Sequence, residues 1–274
     1  MDVKEQANDQ PKPRTLVVGL GEVGAALAAI LDRKETVLRH DLERVKIEEP
    51  VGIMHLCIPF QTAHQFETVA LGYIGRFQPS LTIINSTVLP GTTRSIGRKS
   101  ASPVAYSPVR GKHVRMQEDL IRYFKYVAAP DRTDAASAEA HFQAAGMKTR
   151  RMTEVESLEL AKLAETTYFG ACIAFAQEMN RYAERVGADY SEAVDFFDEI
   201  DFLPHHRYFP GFIGGHCVIP NINLLLQIAP SPALQAILDS NERRAYELEC
   251  QKSAGSKPDT DRRESAETKV LADR

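Results

Sequence analysis

Thr15-Leu16-Val17-Val18-Gly19-Leu20-Gly21-Glu22-Val23-Gly24 is the stretch on which the fold turns. A strand-forming run ends at once in G-x-G-x-x-G, which opens the alanine-rich segment Ala25–Leu31. In that context each glycine has its own task. Gly19 permits a tight turn, Gly21 lets backbone approach a pyrophosphate, and Gly24 lets helix and strand pack closely. Glu22 and Val23 complete the loop, and the anion rests on the N–H groups at the helix start. Asp41, twenty residues after Gly21 at the end of the next apolar run, is placed to accept both ribose hydroxyls. A structural glycine turn explains the loop alone but not the loop together with Asp41. The acid also predicts NAD over NADP, because a 2′-phosphate would meet a like charge, while Arg39 and Arg44 nearby pull the other way.

Outward from the loop, apolar runs at Thr15–Gly19, Thr36–Arg39, Gly52–Ile58 and Leu81–Asn85 alternate with helical stretches such as Ala25–Leu31 and Ala63–Arg76. That alternation predicts an α/β fold, a Rossmann-type doubly wound parallel sheet with helices on both faces. Weaker strand signals follow at Val104–Tyr106, Tyr123–Ala128 and Met147–Arg150, with Ala135–Ala145 as a helix before the last. A dinucleotide-binding domain over 14–151 and an all-α domain over 152–252 are expected. Residues 1–13 and 253–274 are polar and poor in large apolar groups, so both ends read as disordered.

The second domain is built on one long helix. Thr153 and Glu156 read as a capping box, Gly187 as a stop, and Ala164, Tyr168, Ala171, Phe175, Met179, Tyr182 and Val186 recur every three or four positions between them. Ala161, Cys172, Ile173, Ala174 and Ala176 widen the stripe, so the helix over Glu154–Val186 needs partners on several sides. Later helices around Glu192–Ile200 and Pro232–Cys250 supply some, and the same helix of a second subunit is another candidate.

Composition excludes several classes. The 33 Lys and Arg against 37 Asp and Glu leave a net charge of −4, so nucleic acid is not an expected partner. No apolar run approaches a membrane span, and the polar start lacks a signal peptide's apolar segment, which predicts a cytoplasmic protein without a membrane partner. Cys57, Cys172, Cys217 and Cys250 are scattered without a C-x-x-C pair, arguing against disulfides and a zinc site. His216 and the pair His205-His206 find no convincing third ligand, so no metal is expected.

Three further segments carry a specific resemblance: Ser86-Thr87-Val88-Leu89-Pro90-Gly91-Thr92-Thr93; Glu159-Leu160-Ala161-Lys162-Leu163-Ala164-Glu165-Thr166-Thr167-Tyr168 with Ile173-Ala174-Phe175; and Gly214-Gly215-His216-Cys217. Through most of 14–245 the chain resembles the UDP-glucose/GDP-mannose dehydrogenase family of nucleotide-sugar dehydrogenases. The resemblance implies NAD held by Gly19, Gly21, Glu22, Val23, Gly24, Asp41, Pro59, Ser86 and Thr87, a homodimer, and a catalytic set of Cys217, Lys162, Thr87, Thr166 and Asn221. It also implies a two-step oxidation of a primary alcohol to a carboxylate. Hydride leaves to give an aldehyde, the Cys217 thiolate adds to it, a second hydride transfer gives a thioester, and water releases the acid while Lys162 stabilises oxygen anions.

The residues support parts of this by themselves. Ser86 and Thr87 end the fourth strand, at the carboxyl edge where open α/β sheets bind ligands, although capping of the helix near Thr92 is an equal use for such hydroxyls. Cys217 follows two glycines and precedes a Pro220-bounded turn into a helix over Asn221–Gln227, whose N-terminus would favour the thiolate. Lys162 and Thr166 are four apart on one helix face, placed to point into one cleft beside Cys217, although a solvated lysine is the usual reading on a helix; the resemblance adds Thr87 to that site.

Four departures accompany the resemblance. A third domain that holds the nucleotide part of the substrate in the family is not read here. Pro108-Val109 replaces Pro-Glu; Thr166 stands where an asparagine is expected four residues after the helix lysine; and Cys217-Val218-Ile219-Pro220-Asn221 replaces Cys-Leu-Pro-Lys-Asp, exchanging an acid for an amide that cannot serve as base. Arg110 and Lys112 suggest an anionic group on the substrate, with surface solvation as a nearly equal explanation; the substrate is then either a nucleotide sugar or a smaller anionic alcohol or aldehyde that undergoes a single hydride transfer. The rival expectation is a non-catalytic NAD-binding or partner-binding protein on the same scaffold.

Overall fold

The computed structural model describes residues 14–42, 47–111, 113–197, 200–201, 203, 206 and 208–253. The expected disorder at 1–13 and over 254–274, and the readings attached to Arg44, Lys112 and His205, lie outside these residues. By packing, the chain forms two compact units, Met1–Ala164 and Glu165–Arg274. The 151/152 boundary marks a change in element class, whereas packing divides the chain inside the long helix.

The first unit begins β1 (Arg14–Val18), α1 (Glu22–Leu31), β2 (Val37–His40), β3 (Val51–Leu56), α2 (Ala63–Phe77), β4 (Leu81–Ile84), α3 (Thr92–Lys99) and β5 (Val104–Tyr106). These strands form one parallel sheet in the order β2-β1-β3-β4-β5. The chain runs outward from β1 in both directions, so the topological switch point falls between β1 and β3, where the crevice of a doubly wound sheet opens.

Alternation along each strand builds two cores. Val17 and Ile83 face one layer with Leu27, Ile30 and Phe142, while Leu16, Val18 and Ile84 face the other with Phe66, Ile96 and Tyr106. Burial on both faces explains why these strands read as continuous apolar runs.

Beyond β5 come α4 (Met116–Arg122), β6 (Lys125–Val127), α5 (Arg132–Ala144) and β7 (Thr149–Arg151). β6 and β7 pair in parallel with each other, away from the five-stranded ladder, and an antiparallel bridge joins Tyr106 to Ala128. Pro108 has no N–H to extend β5, which accounts for the chain leaving the main sheet there.

Next is α6 (Val155–Val186), which carries the chain into the second unit, followed by α7 (Tyr190–Asp195), α8 (Val218–Ile228) and α9 (Pro232–Ser253). Gly187 ends α6 at φ +72° with Ala188 N–H donating to the Ala183 carbonyl, the glycine stop read from the sequence. The capping box is not formed as expected. Glu156 instead accepts from Arg94 Nε at 2.5 Å and Nη2 at 2.9 Å, because a guanidinium fork binds both carboxylate oxygens at once.

Candidate active site

At the glycine loop, steric demand accounts for two of the three glycines. Gly19 has φ +85°, and a Cβ there would lie 2.5 Å from the Cys57 carbonyl oxygen at the end of β3. A Cβ on Gly24 would meet the Gly19 carbonyl oxygen at 1.8 Å, so α1 could not approach the strands. Gly21, at the N-terminus of α1, is different: a Cβ would meet nothing within 4 Å, and its φ of −66° suits any residue. Packing gives no reason for glycine there, whereas close approach of a ligand to the backbone does.

Asp41 lies against the same loop, with Oδ2 accepting from Leu20 N–H at 3.0 Å and Oδ1 from Leu42 N–H at 2.9 Å. Arg39 is paired with Asp32 and donates to the Val37 carbonyl. Cys57 beneath the loop is half-buried, and desolvation pushes its thiol up to about 12. Pro59 follows β3 and is exposed.

At the carboxyl end of β4, Ser86 Oγ donates to the Ile58 carbonyl at 2.6 Å, tying the ends of β3 and β4 together. Thr87 beside it is half-buried. Neither these hydroxyls nor Thr92 caps α3. Glu159 from α6 does so, accepting from Gly91 N–H at 2.6 Å, Thr93 N–H at 2.9 Å and Thr93 Oγ1 at 2.7 Å. Gly91, at φ +94°, turns the chain so that these donors face one carboxyl. Burial pushes the Glu159 carboxyl up, and the bonds from Thr93 and Gly91 oppose it. Glu159 was visible only as one letter of a motif, and its partners are 66 to 68 residues away.

The departures from the expected pattern also have structural counterparts. Val109 is 8% exposed in a core with Met116 and Leu120, so an apolar side chain fills the position where an acid is expected. Arg110 Nη2 donates to the Phe124 carbonyl at 2.6 Å, and its guanidinium lies 4.8 Å from the Tyr126 ring centre, which engages it with β6.

In the second unit, Cys217 is half-buried at the N-cap of α8, with its carbonyl accepting from Asn221 N–H at 3.2 Å. The helix starts at Val218, earlier than the expected Asn221. Pro220 therefore sits inside its first turn, where a missing N–H costs no helical hydrogen bond. Asn221 Nδ2 donates to Thr166 Oγ1 at 2.9 Å, with both residues buried. The two positions that depart from the asparagine and aspartate of the pattern are thus partners, now an acceptor hydroxyl and a donor amide.

One turn beyond Thr166, a Cβ on Gly170 would come within 2.7 Å of Val218 Cγ1, so this glycine lets α8 seat against α6. The loop before the cysteine is anchored from α9. Asn241 Oδ1 accepts from Ile213 N–H at 2.7 Å while its Nδ2 donates to the Ile213 carbonyl, and Gln177 holds the Gly211 carbonyl at 2.7 Å. His216 is exposed. Thr87 and Lys162 belong to the first unit, and Thr166, Cys217 and Asn221 to the second. A cavity of about 470 Å³ lined by Arg181, Glu184, Arg185, Arg243 and Glu247 contains none of the expected site residues.

Residues 156–243, from the start of α6 into α9, match the profile of the UDP-glucose/GDP-mannose dehydrogenase family, central domain. This segment is similar to that family. The chain is also similar to UDP-N-acetyl-D-mannosamine dehydrogenase of Methanocaldococcus jannaschii, 29% identical over 143 residues, or 51% of this chain and 33% of the relative. UDP-glucose 6-dehydrogenase TuaD of Bacillus subtilis is 30% identical over 103 residues, 35% of this chain and 22% of the relative. The chain thus spans about a third of the length of the curated relatives it matches. In fold, the UDP-D-ManNAc dehydrogenase of Pyrococcus horikoshii superposes with TM-score 0.75 at 21% identity, covering 89% of this chain and 73% of that one. A UDP-glucose dehydrogenase of Pyrobaculum islandicum gives 0.71 at 19%, covering 91% and 73%. Among the described residues no helix is long and apolar enough to cross a membrane.

Proposed function

We propose that this chain is an NAD-dependent dehydrogenase acting on the CH–OH group of a nucleotide sugar or a smaller anionic alcohol, with Cys217 as its nucleophile. The observation that carries the proposal is the central-domain match over α6 to α9, within which Cys217 stands at the N-cap of α8. The dinucleotide part rests on the loop. Gly21 is open where a pyrophosphate would lie, α1 supplies N–H groups, and Asp41 is held at its edge to take ribose hydroxyls. When bound, NAD would supply a hydride acceptor.

The protein's own residues then have distinct tasks. Cys217 sulfur would form a C–S bond to the aldehyde carbon as the carbonyl pair moves onto oxygen, and the N-terminus of α8 favours the thiolate that begins this step. Lys162 would stabilise that oxygen, and Thr87 would orient the alcohol. Asn221, bonded to Thr166, positions the first turn of α8 rather than exchanging a proton. The exposed stripe of Tyr168, Phe175 and Tyr182 on α6 supports a homodimer.

Val109 in the core and the amide at Asn221 favour a second reading, an NAD-binding scaffold without turnover. The two separate on one assay, NADH formation at 340 nm with a panel of nucleotide sugars, sugar phosphates and hydroxy acids. NADH formation that stops after one equivalent per substrate in Cys217→Ala is the expected result. NAD binding without turnover on any member would transfer the assignment to the scaffold.

A further inference from the structure

The first unit buries a lysine that the proposed chemistry does not use. Lys125, at the start of β6, is 3% exposed. Its Nζ donates to the Ser107 carbonyl at 2.6 Å, the Pro108 carbonyl at 3.0 Å and Asn85 Oδ1 at 3.3 Å. Three oxygens facing one nitrogen are the complement of an ammonium, which has three N–H groups, and not of a neutral amine, which has two and a lone pair.

The bonds beyond it have a fixed direction. With Oδ1 on the lysine, Asn85 Nδ2 faces His55 Nδ1 and the Ile83 carbonyl, each at 3.1 Å, so His55 Nδ1 accepts. Neutral His55 therefore carries its proton on Nε2 and donates to His141 Nε2 at 2.9 Å. That leaves the His141 proton on Nδ1, the nitrogen 3.9 Å from Glu35. Every donor points the same way, from Lys125 through Asn85 and His55 to His141, an arrangement in which each bond polarises the next. Asn85 sits between the basic groups as an amide, so the relay transmits hydrogen-bond direction and not protons.

Lys125 joins the ends of β4 and β5 to the start of β6. Asn85 immediately precedes Ser86 and Thr87, and Pro108 immediately precedes Val109 and Arg110. We propose that Lys125 is a positioning residue whose three bonds, complete only in the ammonium form, hold the carboxyl edge of β4 and β5 in the shape that takes the dinucleotide. Loss of its proton removes one donor, and the 3.3 Å bond to Asn85 is the one released. The inference rests on the dinucleotide reading above.

The groups around Lys125 set where this happens. Burial brings its amine down to about 7; the Cys57 side chain at the end of β3 opposes that, while Lys162 on α6 and Arg110 after β5, both cations, reinforce it. The imidazoles of His55 on β3 and His141 on α5 are held down by burial and stay neutral across the same range, with Glu35 beyond them. Buffer between pH 6 and 8.5 therefore changes Lys125 and leaves the rest of the relay in one state.

Calorimetric titration with NAD across that range tests the idea on wild type, Lys125→Met and Lys125→Arg. Wild-type affinity should fall about tenfold from low to high pH, the effect of one charge-assisted hydrogen bond. Lys125→Met should bind weakly at every pH, and Lys125→Arg, always charged, should lose the pH dependence. Wild-type affinity that is flat in pH overturns the proposal. A parallel nitrogen-15 NMR measurement on wild type needs no ligand. His55 with its proton on Nε2, His141 with its proton on Nδ1 and a Lys125 titration near neutrality support the relay, and the opposite tautomers or a Lys125 signal unchanged from pH 6 to 8.5 overturn it. If NAD fails to bind at all, the functional reading falls, and NMR still decides the relay.

Discussion

Environment separates three of the four cysteines. Cys57 lies under the glycine loop with its thiol pushed up to about 12 by burial, Cys250 is exposed on α9, and Cys217 is half-buried at a helix N-terminus. Brief treatment with iodoacetamide at neutral pH should therefore modify Cys217 and Cys250 and spare Cys57, whose raised pKa leaves little thiolate, as read by peptide mass mapping; early labelling of Cys57 would contradict that shift. Asp41→Ala should weaken NAD about tenfold by calorimetry, since the ribose hydroxyls lose a charged acceptor. Both residues were legible in the sequence, Asp41 by its distance from the glycines and Cys217 by the motif around it. Glu159, Gln177 and Asn241 were not legible as site supports, because a carboxylate or amide reveals its task only when folding brings donors from distant segments to it.

The elements followed their sequence signals where the signal was periodic, and departed from them where tertiary partners compete. The apolar runs of β1 to β4 and the stripe on α6 placed those elements to within a residue or two. Glu156, by contrast, left its local cap for Arg94, and α8 began before Pro220 because proline is tolerated in a first turn. Gly170 gave no signal either, as a glycine inside an apolar helix looks like a weakness until α8 is seen to press on it. Gly170→Ala should destabilise the protein by about 1–3 kcal/mol in urea unfolding despite the better helix propensity of alanine, because the added methyl overpacks against Val218. A neutral or stabilising result would mean that α8 yields without strain. Glu159→Gln should cost about 2 kcal/mol, since an amide NH₂ would face one of the N–H groups that the carboxylate now accepts.

For the whole molecule, the histidine pair sets an acid limit. Burial brings His141 down to about 4 and His55 well below its ordinary value, so both are neutral in the folded chain, whereas the unfolded chain takes up protons below about 6.5. Their contribution is therefore fully present above pH 6.5 and is lost as pH falls toward 4, by about 3 kcal/mol for His141 alone. Thermal unfolding from pH 7 to 4 should show this slope, and His141→Gln should flatten it; an unchanged slope would place the acid sensitivity elsewhere. A parallel-sheet unit followed by helices was readable from pattern alone, but β6 and β7 pairing apart from the main sheet was not, because three-residue strands carry too little periodicity. The most direct test of the proposed chemistry is the number of NADH formed per substrate consumed, compared between wild type and Cys217→Ala. Two NADH in the wild type, with the variant stopping after one at the aldehyde, is the expected result. One NADH in both proteins would contradict a nucleophilic role for Cys217 and leave a simple two-electron alcohol dehydrogenase.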